Sequence, residues 1–543
     1  MEAWTLVGGT VADGSGSDPV SADVVVEDGR IREVAPRSGR HRVGTVLDVT
    51  GLVVTPGFID MHAHSDLAVL ADPEHLAKSM QGVTLEVVGQ DGLGYSPVSD
   101  EVMNLTRTQI AGWNGNPDLD YSWRSVGEYL DRVDAGAAVN VATLVPHGTV
   151  RMMTMGSAAR PASDHELAEI RTLVDRAMGD GAVGLSTGLT YVPGMYASDT
   201  EIIDALEPVR RRGGFYCSHH RNYGADVVEA YRDCLALAEQ ARVPLHLAHC
   251  HVNFPQNRGR AVEVLEAIDA ASGRGLDVTL DSYPYLAGAT YLAALLPSWT
   301  QEHGTDHTIE LLGNPDSRGR ILREIEESGS DGHHGIPMDW EVIRVSSVGD
   351  HAQAWSVGKS IAELARANGQ PAGELFAQLL ISDRMGTGCL VEVGNEENVR
   401  AVMRHPSHTV GSDGILVGER PHPRGWGTCP RFLGTYVREA GVMSFSEGIA
   451  HLTSRAARRL GLHDRGLVRP GFHADLVVLD PASVGSEASY DDPKVAPTGI
   501  PHVFVNGEPT VLHGRRTDRS PGRSVRHPSS RIEPLGIDRS GSR

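Results

Sequence analysis

The sequence predicts an α/β protein: a (β/α)8 barrel of eight parallel strands, with a small composite β-sandwich formed by both chain ends. Three observations carry that expectation. Apolar strand-like runs recur along the middle of the chain, helical periodicity fills the gaps between them, and β-rich segments stand at either end.

The first fifty residues contain TLVGGTVAD, ADVVVEDGRI, REVAP and GTVLDVTG, short strand patterns divided by turn residues. A similar pattern returns in ADLVVLDP and HVFVNGEPTVLHG, after the turn-rich LVRPGFH. The two groups are expected to pair, making residues 1–55 and 461–514 the halves of one sandwich.

Between them lie eight candidate strands: VVTPGFIDMHAH, TLEVVGQDG, NVATLVPHG, AVGLSTG, GFYCSH, PLHLAHC, DVTLDSYPY and HTVGSDG. Stretches such as SDHELAEIRTLVDRAMGDG and ADVVEAYRDCLALAEQAR carry helical apolar spacing and caps, as parallel βα units require. The barrel is therefore expected over residues 56–460. A long insertion, at about residues 286–375, separates its last two strands.

Composition excludes several classes. Of 543 residues, 40% are apolar and 22% charged, near globular averages. No apolar run reaches the roughly eighteen residues of a membrane span. The N-terminus lacks the basic start and apolar stretch of a secretory signal, so a cytoplasmic location is expected. Cys217, Cys234, Cys250, Cys389 and Cys429 show no CxxC spacing and fit reduced thiols. A net charge of −21 argues against nucleic-acid or anionic-membrane partners and leaves a small molecule as the expected partner, with homo-oligomerisation open. Residues 515–543 differ, with eight Arg against Asp518, Glu533 and Asp538 among Ser, Gly and Pro. A disordered tail is expected there, with docking to an acidic partner as the other reading.

In a barrel of this kind, chemistry collects at the C-terminal ends of strands. The first strand ends in His62-Ala63-His64, and residues two apart on a strand share a side, so both imidazoles can grip one ion. Alone, HxH is a weak signal among 25 histidines. The fifth strand, however, ends at His219, the sixth at His249 and the eighth at Asp413. Four imidazoles and a carboxylate at strand ends point to a divalent metal site.

These residues also carry a resemblance. GLVVTPGFIDMHAHSD, the two later histidines, GSDG and HADLVVLD resemble the amidohydrolase superfamily. QGVTLEVVGQDGLGYSP, LSTGLTYVPGMYAS, SHHRNYG, DSYPYLAGAT and HPRGWGTCPRFLG resemble its N-acyl-D-amino-acid deacylase (D-aminoacylase) branch, over nearly the whole chain except the Arg-rich tail. The resemblance implies an amide hydrolase carrying one or two Zn2+ per chain, although nickel, cobalt or manganese would suit similar donors. Many superfamily members bridge two metals with a carboxylated lysine at the fourth strand. Here that strand ends Ser186-Thr187-Gly188, and the only lysines are Lys78, Lys359 and Lys494. D-aminoacylases use a cysteine after the second strand instead, and Asp91 stands at its position. A carboxylate can bridge as a thiolate can, which makes Asp91 the expected bridging ligand, while a turn Asp before Gly92 is the plainer alternative. By the same resemblance, His219 rather than His220 is the fifth-strand ligand, and His249 the sixth.

A metal ion lowers the pKa of bound water to about 7 and polarises a carbonyl, and Asp413 is placed to carry the remaining proton to the leaving nitrogen. In the resembled deacylases a lysine, a tyrosine and a serine hold the substrate α-carboxylate. Tyr283 keeps the tyrosine, whereas His251 and Ala289 replace the other two. Arg221 could supply a compensating cation or form a salt bridge. His147, ending the third strand, could contact substrate, pack in the core or support a ligand, and Tyr191 and Tyr196 are expected to wall the pocket, with aromatic core filling as the plainer alternative. The insertion suits a lid. The rival functions are cyclic-amide hydrolysis or deamination at the same ligands, a barrel scaffold without catalysis, and nucleotide binding, for which GSGSDP lacks the strand-loop-helix context.

Overall fold

The computed structural model describes residues 2–36 and 42–528. Each of the eight stretches carries a strand: β1 Phe58–Asp60, β2 Val83–Val88, β3 Asn140–Thr143 with its continuation Val145–Pro146, β4 Gly184–Gly188, β5 Phe215–His219, β6 Leu245–Leu247, β7 Val278–Ser282 and β8 His408–Val410. They form two parallel sheets. One runs β1-β2-β3; the other runs from the β3 continuation through β4, β5, β6 and β7 to β8. Leu144 alone separates the two parts of β3. At the other side, the Met61 amide donates to the Val410 carbonyl at 3.2 Å, and Ala63 bridges Gly414. Every residue of these strands is buried, as parallel sheets covered by helices require.

Three of the connecting helices, Val126–Asp134, Asp164–Asp180 and Asp199–Arg212, begin at a serine cap. Ser163 accepts from the Glu166 amide at 3.4 Å while the Glu166 carboxylate accepts from the Ser163 amide at 2.8 Å, closing a capping box on helix Asp164–Asp180. Its buried face is Ile170, Val174, Ala177 and Met178, the helical three-and-four spacing that the apolar pattern predicts. The helix ends at Gly181, at φ +119°.

Both chain ends enter one ten-stranded sheet. Val53–Pro56 runs antiparallel to Leu476–Leu479, with Val54 opposite Val478, and parallel to Thr10–Val11. Leu6, Val24, Val26 and Ile31 from the N-terminal part pack in one apolar cluster with Leu476, Val478 and Phe504 from the C-terminal part.

The segment between β7 and β8 builds its own three-stranded antiparallel sheet from Ala287–Tyr291, Gly388–Glu392 and Ile343–Ser347, with the second of these in the middle. Its middle strand lies beyond residue 375. The β-rich unit is therefore longer than local periodicity indicates, because a strand separated from its partners by helices carries no hairpin signal.

One expectation is corrected. Of the tail expected to be disordered, residues 515–528 are placed and packed, while 529–543 lie outside the described residues. Arg515–Arg516 pairs with Glu508–Leu512, the Gly522 amide donates to Ala137 at 2.8 Å, and the Val525 amide donates to Val141 at 2.7 Å. Arg526 pairs with Asp131 at 2.5 Å and Asp134 at 3.4 Å. Composition weighs only apolar area, whereas this segment is held by backbone groups and carboxylates that other parts of the chain present.

Among the described residues no helix is long and apolar enough to cross a membrane. All five cysteines are buried and unpaired.

Candidate metal centre

His62 and His64 follow β1, Asp91 follows β2, His219 closes β5, His249 follows β6 and Asp413 follows β8. The strand ends bring all six together. The donor atoms of His62, His64, Asp91 and Asp413 lie within 4.8 Å of one another, and so do those of Asp91, His219 and His249. Asp91 belongs to both groups. Its Oδ2 is 3.4 Å from His64 Nε2 and 3.6 Å from His219 Nδ1, while its Oδ1 is 3.6 Å from His62 Nε2 and 3.5 Å from His249 Nε2. Asp413 Oδ1 lies 3.1 Å from His64 Nε2 and 3.7 Å from His62 Nε2.

The backbone is bent to achieve this. Asp91, His249 and Asp413 hold φ of +54°, +30° and +48°, a left-handed region that costs an L-residue energy and persists where surrounding structure imposes it. Each turn comes just past a strand end and folds the side chain over the strands. A Cβ at Gly188 would lie 1.9 Å from the Asp91 carbonyl oxygen, so β4 must end in glycine for the Asp91 turn to seat.

Asp281, at the end of β7, orients the histidines. Its Oδ2 accepts from His246 Nε2 at 2.9 Å and faces His62 Nδ1 at 3.6 Å, and its Oδ1 accepts from the His249 amide at 3.0 Å. The Nδ1 edge of His62 is thereby turned to Asp281 and its Nε2 edge to Asp91 and Asp413.

Burial opposes charge throughout this cluster; neighbours overcome it at His62, His64, Asp91 and Asp413, while at His219 burial prevails and lowers the imidazole pKa to about 4. The imidazoles of His62, His249 and His219 hold the Asp91 carboxyl well below the ordinary carboxylate range. Arg424 and His62 do the same for Asp413. In turn Asp91, Asp413 and Asp281 lift His62 well above the usual imidazole value. His62 Nε2 and Asp91 Oδ1 are buried without a hydrogen-bond partner, a costly state that a divalent cation between them would relieve. Four imidazoles and two carboxylates are donors of the zinc type.

A family model described as the amidohydrolase family matches residues 45–511. The chain belongs to the amidohydrolase family. It is similar to the D-aminoacylase of Alcaligenes xylosoxydans xylosoxydans, 33% identical over 535 residues that cover 95% of this chain and 96% of that protein. It is also similar to the N-acyl-D-aspartate deacylase of the same organism, 34% identical over 526 residues, covering 95% and 93%. Among solved structures, the N-acyl-D-glutamate deacylase of Bordetella bronchiseptica, complexed with zinc and a phosphonate inhibitor, superposes with a TM-score of 0.83 at 30% identity, covering 97% of this chain and 99% of that one.

In this amidohydrolase a cavity of about 100 Å³ opens on the cluster, floored by His64, Asp91, His219, His249 and Asp413. His251 and Tyr283 line it with their ring centroids 4.2 Å apart. Tyr191 lines it too, packed 4.9 Å from Trp113 and 4.8 Å from His219. The insertion supplies the facing wall, including Ala289, Thr290, His333, His334 and Val391.

Three residues singled out in the sequence do not line the cavity. Arg221 turns to the start of helix Asp199–Arg212, where it donates to Asp199 at 3.0 Å and to the Ala197 carbonyl at 2.9 Å. His147 opens the helix after β3 and places Nε2 3.2 Å from Glu201, which also receives Arg151. Tyr196 donates its hydroxyl to the Ser298 carbonyl at 2.8 Å. In each case a nearby acceptor outside the cavity claims the side chain. His220 stacks on Tyr223 at 4.1 Å and stays out of the donor cluster.

Arg424 and Asp281 went unassigned in the sequence. Arg424 is fully buried, with NH1 2.9 Å from Asp413 Oδ2 and its guanidinium 4.5 Å from the Tyr283 ring centroid. The signal for Asp281 was its place at a strand end in DSYPY; Arg424 lies in the HPRGWGTCPRFLG run that carries the resemblance, but nothing in that run indicated its pairing with Asp413.

Proposed function

We propose that this chain hydrolyses the amide bond of N-acyl-D-amino acids, with His62, His64, Asp91, His219, His249 and Asp413 holding one or two zinc ions. The observation that carries the proposal is Asp91, whose carboxylate is common to both donor groups. Similarity to D-aminoacylase and N-acyl-D-amino-acid deacylases over nearly the full length supports the substrate class. Zinc, when bound, supplies Lewis acidity, which makes water nucleophilic at neutral pH and polarises the scissile carbonyl.

Asp413 is the proton carrier. Its carboxylate takes one proton from the attacking water as the C–O bond forms and delivers it to the nitrogen as the C–N bond breaks, releasing a free amine and a carboxylic acid that keeps the other water proton until it ionises in solvent. Arg424 and His62 favour its ionised form, so it begins as the base. Tyr283 and His251 form the wall beside it and contact the substrate, with Arg424 behind the Tyr283 ring. Tyr191 and the insertion exclude water from the reacting centre.

The same proposal takes the two parallel sheets as one closed (β/α)8 barrel over residues 56–460. Leu144 between the parts of β3 and the Met61–Val410 hydrogen bond support closure. The terminal sheet becomes a β-sandwich of residues 1–55 and 461–514 around the cluster of Leu6, Val24, Leu476 and Phe504. Unpaired buried cysteines favour a cytoplasmic location, and the net charge of −21 a small-molecule partner over a nucleic acid. The test is a panel of N-acyl-D- and N-acyl-L-amino acids with zinc-loaded enzyme. Release of free D-amino acid is expected, and no turnover of either isomer would refute the proposal.

A further inference from the structure

Overall identity does not separate the relatives named for acidic substrates from the D-aminoacylase: it is 34% and 30% to the aspartate and glutamate deacylases and 33% to the D-aminoacylase. The lining of this chain's own cavity bears on the choice. N-acyl-D-aspartate and N-acyl-D-glutamate each bring two carboxylates, and a buried carboxylate needs a cation or several donors of its own.

Among the described residues, no Lys or Arg lines the cavity. Arg424 stands behind the wall, fully buried against the Tyr283 ring. Its NH1 is engaged with Asp413 Oδ2 at 2.9 Å, and its NH2 donates to the Ala289 carbonyl at 3.3 Å. A guanidinium set behind the wall and already paired with Asp413 offers no cation to a second carboxylate in the cavity. The wall contributed by the insertion and its neighbours carries neutral polar groups at Asn253 and Thr290 and a block of apolar side chains, Leu295, Val391, Val393 and Phe254, the last packed 5.3 Å from the His333 ring. His333 Nδ1 donates to the Ile336 carbonyl at 2.7 Å, which fixes its proton there. Burial lowers the pKa of His333 and pushes that of His334 down to about 3, so neither supplies positive charge at neutral pH.

We infer that this enzyme takes N-acyl-D-amino acids with uncharged, apolar side chains and rejects aspartate and glutamate, with Val391, Leu295 and Phe254 as the specificity-determining wall. This rests on the deacylase proposal for the same site.

The experiment compares N-acetyl-D-leucine and N-acetyl-D-phenylalanine with N-acetyl-D-aspartate and N-acetyl-D-glutamate on zinc-loaded enzyme, by kcat/KM and by calorimetric binding. At least about 100-fold preference for the apolar pair is expected, since an unpaired buried charge costs several powers of ten in affinity at most and about two at least. The Val391→Arg variant, at a partly exposed position, should narrow that ratio about 10-fold by supplying a cation. Equal or greater activity on the acidic pair would overturn the inference while leaving the deacylase proposal intact. An unchanged ratio in V391R, with parental zinc content and melting temperature, would overturn the role of the wall. Binding with the expected preference but without turnover would support the inference and sink the deacylase proposal. Binding of none of the four would overturn both.

Discussion

Lys78 Nζ lies 2.6 Å from Asp60 Oδ2, and neither side chain is more than 2% exposed. Lys78 also donates to Ser412 Oγ at 2.8 Å, and the Ser412 amide donates to Asp60 Oδ1 at 2.8 Å. Asp60 precedes His62 and Ser412 precedes Asp413, so one buried ion pair ties together two strand ends that carry donors. Replacing Lys78 by Met leaves Asp60 with its Ser412 hydrogen bonds and without its counter-charge. A loss of about 3–5 kcal/mol is expected from such an uncompensated buried charge. Thermal unfolding should show it, together with weaker zinc retention on dialysis. A Lys78→Met, Asp60→Asn double variant should recover much of the stability, and a single variant that melts with the parent would refute the clamp.

Asp91 is the donor shared by both groups, so Asp91→Ala should bind at most one zinc per chain. Metal analysis after gel filtration measures this. Two equivalents retained at parental affinity would show that the carboxylate is not a bridge.

Arg424 holds the Asp413 carboxylate in its charged form against burial. Arg424→Met removes that support, so the pKa of Asp413 rises and the acid limb of the kcat/KM profile moves to higher pH. The sign is fixed by Asp413 acting as a base. An acid limb that stays in place would count against that role.

His408 sits at the start of β8, with Nδ1 2.8 Å from His451 Nδ1 and Nε2 2.9 Å from Ser282 Oγ. Burial pushes its pKa down to about 3 from an ordinary 6.5. Between these values the unfolded chain binds a proton that the native state does not, so stability is full above pH 6.5 and is lost as pH falls toward 3. The loss is about 1.4 kcal/mol per pH unit for one such group. His408→Gln should flatten the fall in melting temperature between pH 6.5 and 4, and an equally steep fall would assign it to other groups.

Residues 515–528 join the ten-stranded sheet and the strand that carries Val141. A chain ending at Gly514 should melt several degrees lower, because it loses those backbone bonds and the Arg526 pairs with Asp131 and Asp134. A melting temperature unchanged by the truncation would show that the packing adds nothing.

The sequence by itself determined the eight strand stretches and the pairing partners at the two chain ends, and it singled out five of the six clustered side chains as candidate donors, because strand alternation, caps and strand-end residues are local patterns that survive in one dimension. The likeness of the run around Asp91 to a known ligand position added the bridge. Tertiary structure alone decided the rest. Arg424 reaches Asp413 and Tyr283 only through the way its helix packs, Arg221 and His147 are drawn off by Asp199 and Glu201, and the length of the insertion's sheet depends on a strand whose partners are remote. The Arg-rich segment makes the same point: its order comes from acceptors on Ala137 and Val141 and from carboxylates on a distant helix, and no count of its own residues could reveal them.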